Sequence, residues 1–175
     1  MKSVLPPQRR SGHEVAHWHS LEYGAIDRES HLVVHHITFS NSHFKRVNDL
    51  FGHDTGDFVL VHLAQICQHC ARKADLVIRF GGEEFLIILP DCDESCAATL
   101  AERIRVTVEE SNIHTPNRTL QQTISIGVAE FSYTSTKTIW DIIKLADIAL
   151  YQAKSNGRNQ VLICQDVSAL IEEEE

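Results

Sequence analysis

Nowhere in these 175 residues does an apolar run approach the roughly 20 residues of a membrane-spanning helix. The opening stretch, Met1 to Pro7, has no apolar h-region, so no secretion signal is read there and the chain is expected in the cytoplasm. Positive charge is scarce as well. A formal net charge of -8 argues against DNA or RNA as a broad partner, so a phosphorylated ligand would have to be held by a few local cations and a metal. Paired cysteines are also lacking. Five thiols, an odd number, in a chain without a secretion signal suggest reduced side chains and no disulfide framework.

Cys67 and Cys70 form a C-x-x-C, but no second pair has zinc-ribbon spacing. Phe58, Val61, Ala64, Cys67 and Ala71 recur at helical spacing, so one helix face over 58–72 accounts for the cysteines. Eleven histidines offer no evident third ligand to the i, i+4 pair His13 and His17, and His19, His35 and His36 are read as ordinary side chains. Neither an internal repeat nor an interdomain linker is visible. With 43% hydrophobic residues, the chain can bury the core of a single domain.

What the chain does have is Arg79-Phe-Gly-Gly-Glu-Glu-Phe85, set between two apolar runs at 75–80 and 85–89. Both runs are rich in β-branched or aromatic residues, which predicts a hairpin bent at Gly81 and Gly82 with Glu83 and Glu84 at its tip. Paired glycines let backbone N–H groups approach a phosphate, and adjacent carboxylates can hold a divalent cation against it. A lone G-G-E-E would more simply be a turn with solvated acids.

Periodicity supplies the remaining elements. A polar helix is expected at 12–23, a strand at 32–39, a short helix at 44–50, and a turn at 52–57 with Asp57 as a plausible cap for the next helix. After the hairpin come a helix at 94–110 with Ala97, Leu100, Ala101, Ile104 and Val108 inward, a polar loop at 114–118 and a strand at 122–130. A helix at 138–154 and a strand at 159–164 follow. This order suits an α/β fold with one sheet covered by helices. The four glutamates at 172–175 are expected to be frayed and solvated.

Five segments, in order, resemble the GGDEF domain of bacterial diguanylate cyclases: His43 to Asp49, Phe51 to Asp57, Arg79 to Phe85, Thr123 to Val128, and Ala146 to Asn159. The resemblance implies a single central mixed β-sheet flanked by helices, similar to the palm of nucleotide cyclases and polymerases, with a hairpin carrying the GGEEF turn. It divides the chain into a degenerate N-terminal segment at 1–30, a core at 31–165 and an acidic tail at 166–175, expected to be disordered.

By position, the resemblance implies GTP contacts from Phe44, Lys45, Asn48, Asp57, Gly81, Gly82, Lys154 and Arg158. Asn48 and Asp57 would read guanine, whose edge suits an amide and a carboxylate. The three cations would hold phosphate, Lys154 and Arg158 being i and i+4 at a helix end. Glu83 and Glu84 would be catalytic and would hold Mg2+ with the Asn41 backbone and position 40. There the sequence departs from the family: Ser40 and Ser42 stand where an Asp-x-Asp is usual, which predicts a weakened metal site. The upstream D-x-L-T-G-L signature is also degenerate, only its tail surviving in Val4 to Arg10.

Arg72-Lys-Ala-Asp75 is an R-x-x-D at the family's spacing from Gly81, and with Arg103 it implies a second, inhibitory site for cyclic di-GMP. Taken alone, R-x-x-D is more often a surface salt bridge. The implied partners are GTP, cyclic di-GMP, a second copy of the domain for catalysis and an attached sensory or regulatory domain, with no membrane contact. Two functions follow from the resemblance: a diguanylate cyclase of reduced activity, or an inactive domain serving as a cyclic di-GMP receptor.

Overall fold

The computed structural model describes residues 32–39, 43–131 and 138–164. The expected helix at 12–23, Ser40, Asn41, Ser42 and the acidic tail lie outside the described residues. The elements run β1 (Leu32–Phe39), α1 (His43–Phe51), α2 (His53–Cys70), β2 (Leu76–Gly81), β3 (Glu84–Pro90), α3 (Glu94–Glu110), β4 (Ile113–Thr115), β5 (Arg118–Leu120), β6 (Ile124–Phe131), α4 (Ile139–Ser155) and β7 (Val161–Cys164). Five strands form one mixed sheet in the order β2-β3-β1-β6-β7, with only β6 and β7 parallel. The expected fold class holds.

Strand alternation divides the core into two layers. Phe85, Ile87 and Leu89 of β3, with Ile124, Ile126 and Val128 of β6, face α2 and α3. Leu86 and Ile88 face the other way, packing with Ala129 and with Ile142, Ile143, Leu145 and Ala146 of α4. On that second face β6 presents Ser125, Gly127 and Ala129, all buried. The small residues let α4 lie against the strand itself. A Cβ built at Gly127 would stand 2.0 Å from the Ala146 carbonyl oxygen and 2.4 Å from the Leu150 nitrogen.

Helix starts follow local chemistry. Asp93 caps α3 by accepting the Cys96 N–H at 2.8 Å, and Thr138 with Asp141 forms a capping box on α4. All five inward residues expected on α3 are buried.

Four expectations need correction. Asp57 does not cap α2: the helix begins at His53 behind Gly52, whose φ of 84° breaks the chain between α1 and α2, and Asp57 is an exposed residue within it. The inward face of α2 is also rotated from the expected stripe. Phe58 and Val61 are each 44% exposed, whereas Val59, Leu60, Leu63, Ile66, Cys67 and Cys70 are buried. The loop expected at 114–118 is a small hairpin, β4–β5, with Arg118 stacked over the Phe51 ring at 3.8 Å. Finally, α4 stops at Ser155, so Arg158 lies beyond the helix and not one turn along it from Lys154.

Candidate functional site

The bend of the main hairpin is one residue later than expected. Gly81 and Glu84 pair as the last rung of β2 and β3, leaving Gly82 and Glu83 as the turn. Gly82 has φ of 43° with nothing within 4 Å of a would-be Cβ, so the backbone conformation, not space, calls for glycine there. Arg79, which sequence reasoning passed over, clamps the turn: its Nε and Nη2 donate to the Gly82 carbonyl at 3.1 and 2.7 Å. On the other side of β3, Thr38 pairs with Glu84, so the end of β1 runs up to the same turn.

Glu83 is partly buried, and burial pushes its carboxyl above the ordinary value; the Lys154 ammonium pulls it back, and the Glu84 carboxylate pushes it further up. Lys154 sits in the last turn of α4. The sheet and its helix thus put one cation from a distant segment within electrostatic range of the hairpin carboxylates. A desolvated carboxylate with a like-charged neighbour is relieved by a divalent cation, so this donor pair fits Mg2+. Among the described residues no cluster of three His, Cys, Asp or Glu side chains is placed to hold a metal. The remaining ligands implied by the sequence, Ser40 and Asn41, lie outside them.

Glu83 also gives the metal-free protein a predictable pH dependence. With its folded pKa raised, the native state holds the proton more tightly than the unfolded chain, so this contribution to stability is present at low pH and lost as pH rises above the usual carboxylate range. Glu83→Gln should flatten that dependence and leave the metal-free protein at least as stable at neutral pH, while abolishing most of the Mg2+-induced rise in melting temperature. Thermal melts with and without Mg2+ measure both; an undiminished Mg2+ response would remove Glu83 from the metal site.

Lys45 and Asn48 lie three residues apart on α1, Lys45 exposed and Asn48 half-buried. Phe44 is buried in the core, and its ring helps pack α1 on α2. The Asn48 amide rests on Gly56, where a Cβ would stand 2.0 Å from Asn48 Oδ1. Glycine within a helix costs about 1 kcal/mol relative to alanine, yet only glycine leaves room for that amide. Asn48 Oδ1 is buried and has no hydrogen-bond partner, a condition that costs about 1–3 kcal/mol until a donor arrives. Asp57 follows Gly56 on the same helix.

Arg158 is carried by an unusual turn: Gly157, Arg158 and Asn159 all have positive φ, at 111°, 64° and 46°. Left-handed backbone at a non-glycine residue costs on the order of 1–3 kcal/mol. The turn is held from α3, where Arg105 Nη1 donates to Asn159 Oδ1 at 2.9 Å and Asn159 Nδ2 donates to Glu109 Oε1 at 2.7 Å. Arg105 is itself gripped by Glu102 and Glu109, each at 2.7 Å. Sequence reading missed this brace.

At the far end of β2 the R-x-x-D is not a salt bridge. The Arg72 backbone N–H donates to Asp75 Oδ2 at 2.6 Å and the Asp75 N–H donates to the Arg72 carbonyl at 3.2 Å, a compact turn between α2 and β2. Asp75 is buried, and its Oδ1 has no partner. The Arg72 guanidinium instead lies against the sulfurs of Cys96 and Cys92. Arg103 Nη2 donates to the Cys70 carbonyl at 2.5 Å, meeting an otherwise open carbonyl at the end of α2. Arg72, Cys96, Thr99 and Arg103 line an open depression of about 330 Å³. At about 3.3 Å per residue, β2 separates this depression from the Gly82 turn by roughly 17 Å.

The family model described as "Diguanylate cyclase, GGDEF domain" matches residues 21–160. The chain belongs to the GGDEF family. Diguanylate cyclase A of Treponema denticola is 42% identical over 123 residues, 70% of this chain and 33% of that protein. Among solved GGDEF structures, the domain of DgcB from Caulobacter crescentus in complex with c-di-GMP superposes with a TM-score of 0.72 at 32% identity, over 78% of this chain and 80% of that one. The active GGEEF domain of a diguanylate cyclase from Vibrio cholerae gives 0.70 at 36% identity, over 78% and 85%. The chain spans about a third of the length of the curated relatives it matches. Among the described residues, no helix of this GGDEF domain is long and apolar enough to cross a membrane.

Proposed function

We propose that this GGDEF domain is a diguanylate cyclase module that binds one GTP and, facing a second GTP-loaded copy, condenses two GTP into cyclic di-GMP. The observation that carries this reading is the pull of the Lys154 ammonium on the partly buried Glu83 carboxyl at the glycine turn, a cation and a carboxylate near enough to act on each other and suited to share a triphosphate and its metal. The Vibrio cholerae protein, whose domain is described as active, carries the same GGEEF variant.

In this reading Asn48 and Asp57 select guanine, the unpaired Asn48 Oδ1 accepting from the base. Lys45, Lys154 and Arg158 hold phosphate oxygens, and the open backbone at Gly81 and Gly82 admits them closely. Glu83 and Glu84 hold Mg2+, the cation that GGDEF diguanylate cyclases use, which when bound neutralises triphosphate charge and polarises the α-phosphate. The facing copies align each 3′-hydroxyl with the α-phosphate of the other GTP. Two phosphodiester bonds form as two pyrophosphates leave. Ser40 and Ser42 supply no anionic ligand, so metal affinity and rate are reduced. The setting is the cytoplasm, and a sensory domain in the rest of the protein controls the pairing.

A second reading, a receptor that binds cyclic di-GMP without making it, is favoured by those serines and by Arg72 and Arg103 sharing one depression. Chromatography of guanine nucleotides after incubation with GTP and Mg2+ separates the two. Cyclic di-GMP should appear, and faster in Ser40→Asp; no product from either protein would leave the receptor.

Base selection has its own test. Asn48→Ala should weaken GTP binding by about 1–3 kcal/mol while changing ATP binding little. Calorimetry with both nucleotides measures this, and equal losses would assign Asn48 to helix packing alone.

A further inference from the structure

We propose that Cys92 and Cys96 form a peroxide-reactive dithiol beside the arginine depression, with Cys96 as the attacking sulfur and Cys92 as the resolving one, and that their oxidation releases Arg72. One guanidinium nitrogen, Arg72 Nη2, reaches both sulfurs: it contacts Cys96 directly and stands 4.0 Å from Cys92. The Cys92 thiol itself donates to the Asp93 carbonyl at 3.6 Å, at the turn that opens α3. Two thiols gathered on one guanidinium nitrogen are neighbours, the placement from which a disulfide would start.

Their surroundings separate the roles. Cys96 is half-exposed, lines the depression and lies in the first turn of α3, so a small oxidant can reach it. Cys92 is buried at 2% exposure, and burial pushes its thiol up to about 12, so it is not the sulfur that a peroxide meets first. The other described thiols lack this arrangement. Cys67 and Cys70 are buried in the core, and Cys164 lies on the edge strand β7.

The chemistry balances with a peroxide as oxidant. The Cys96 sulfur attacks one oxygen of hydrogen peroxide and the O–O bond breaks; the departing hydroxide takes the thiol proton as water, leaving a sulfenic acid. The Arg72 guanidinium is placed to stabilise charge on the departing oxygen. The Cys92 sulfur then attacks the Cys96 sulfur; the S–S bond forms, the S–O bond breaks, and the hydroxyl leaves with the Cys92 proton as a second water. Arg72 thereby loses the thiol it lies against, and its guanidinium turns to anions in the depression. The effect on cyclic di-GMP rests on the product-site reading of Arg72; the oxidation does not.

The test is peptide mapping by mass spectrometry after hydrogen peroxide treatment of the reduced protein, with calorimetry of cyclic di-GMP before and after. The expected result is a Cys92–Cys96 disulfide, reversed by dithiothreitol, and cyclic di-GMP affinity about tenfold higher in the oxidised form, the equivalent of one charge-assisted contact. Cys92→Ser should stop at a dimedone-trappable sulfenic acid on Cys96, and Cys96→Ser should leave Cys92 unmodified. Peroxide treatment that forms no Cys92–Cys96 bond, or that oxidises Cys164 first, overturns the dithiol. A disulfide with unaltered affinity overturns the release of Arg72. If neither form binds cyclic di-GMP, the product-site reading fails while the mapping still decides the dithiol.

Discussion

Gly127→Ala is expected to lower stability by at least about 3 kcal/mol, the upper part of the usual range for forcing extra volume into a packed core. The methyl group would stand 2.0 Å from the Ala146 oxygen, 2.4 Å from the Leu150 nitrogen and 2.9 Å from the Leu150 Cα, all of them backbone atoms of α4. No rotamer change can relieve such a contact. The helix must lift off the sheet, opening the layer that holds Ile142, Ala146 and Leu86. Against a total stability of about 5–15 kcal/mol, this removes a large part of the folded population. Gly81→Ala is the matched control, since nothing lies within 4 Å of its Cβ. Urea denaturation of both variants reads the difference; equal midpoints would mean that α4 does not rest on Gly127.

Arg72→Ala should weaken cyclic di-GMP binding by an order of magnitude or more, removing a charge-assisted contact worth about 1.5–3 kcal/mol. The structure makes this the cleanest probe of the depression. The bond from Arg72 to Asp75 uses the backbone N–H, so alanine keeps the turn. By contrast, Arg103→Ala also frees the Cys70 carbonyl, and Asp75→Ala leaves the Arg72 N–H unpaired; each mixes a folding cost into the affinity. GTP affinity should be unchanged in Arg72→Ala, because the hairpin turn stands at the other end of β2. Unaltered cyclic di-GMP affinity, or none in the parent protein, would return the R-x-x-D to a structural role.

How much of this was legible in the sequence depended on how many periods each element offered. The inward face of α3 was readable because five apolar residues recur on one stripe and its opposite face is charged. On α2 apolar residues occur all round, so spacing alone offered no polar face to fix which stripe points inward. Strands of three residues at β4 and β5 carry too few alternations to stand out from a polar loop. Gly157 was a visible stop signal, and the i, i+4 pairing of Lys154 with Arg158 disregarded it. Motif spacing singled out Asn48, Glu83 and Lys154. It could not show that the Lys154 ammonium acts on Glu83 or that Asn48 Oδ1 is orphaned, because burial and cross-element distance are set by packing. The clamp of Arg79 and the brace of Arg105 on Asn159 carry no local signature at all.

The place of β1 in the sheet has a consequence for how the domain comes to exist. It is the first described strand in the chain and the central one in the sheet, hydrogen-bonded on both sides, to β3 and to β6. Both partners are made much later. During synthesis the strand Leu32–Phe39 emerges with two open edges, and it stays exposed until a hairpin and then a further helix and strand have followed. Pairings this distant in sequence close slowly, so helices α2 and α3 can form while the centre of the sheet is still missing. A nascent chain stopped before β6 would carry an apolar strand edge open to its neighbours, which makes the interval before Ile124 the period in which aggregation competes with folding.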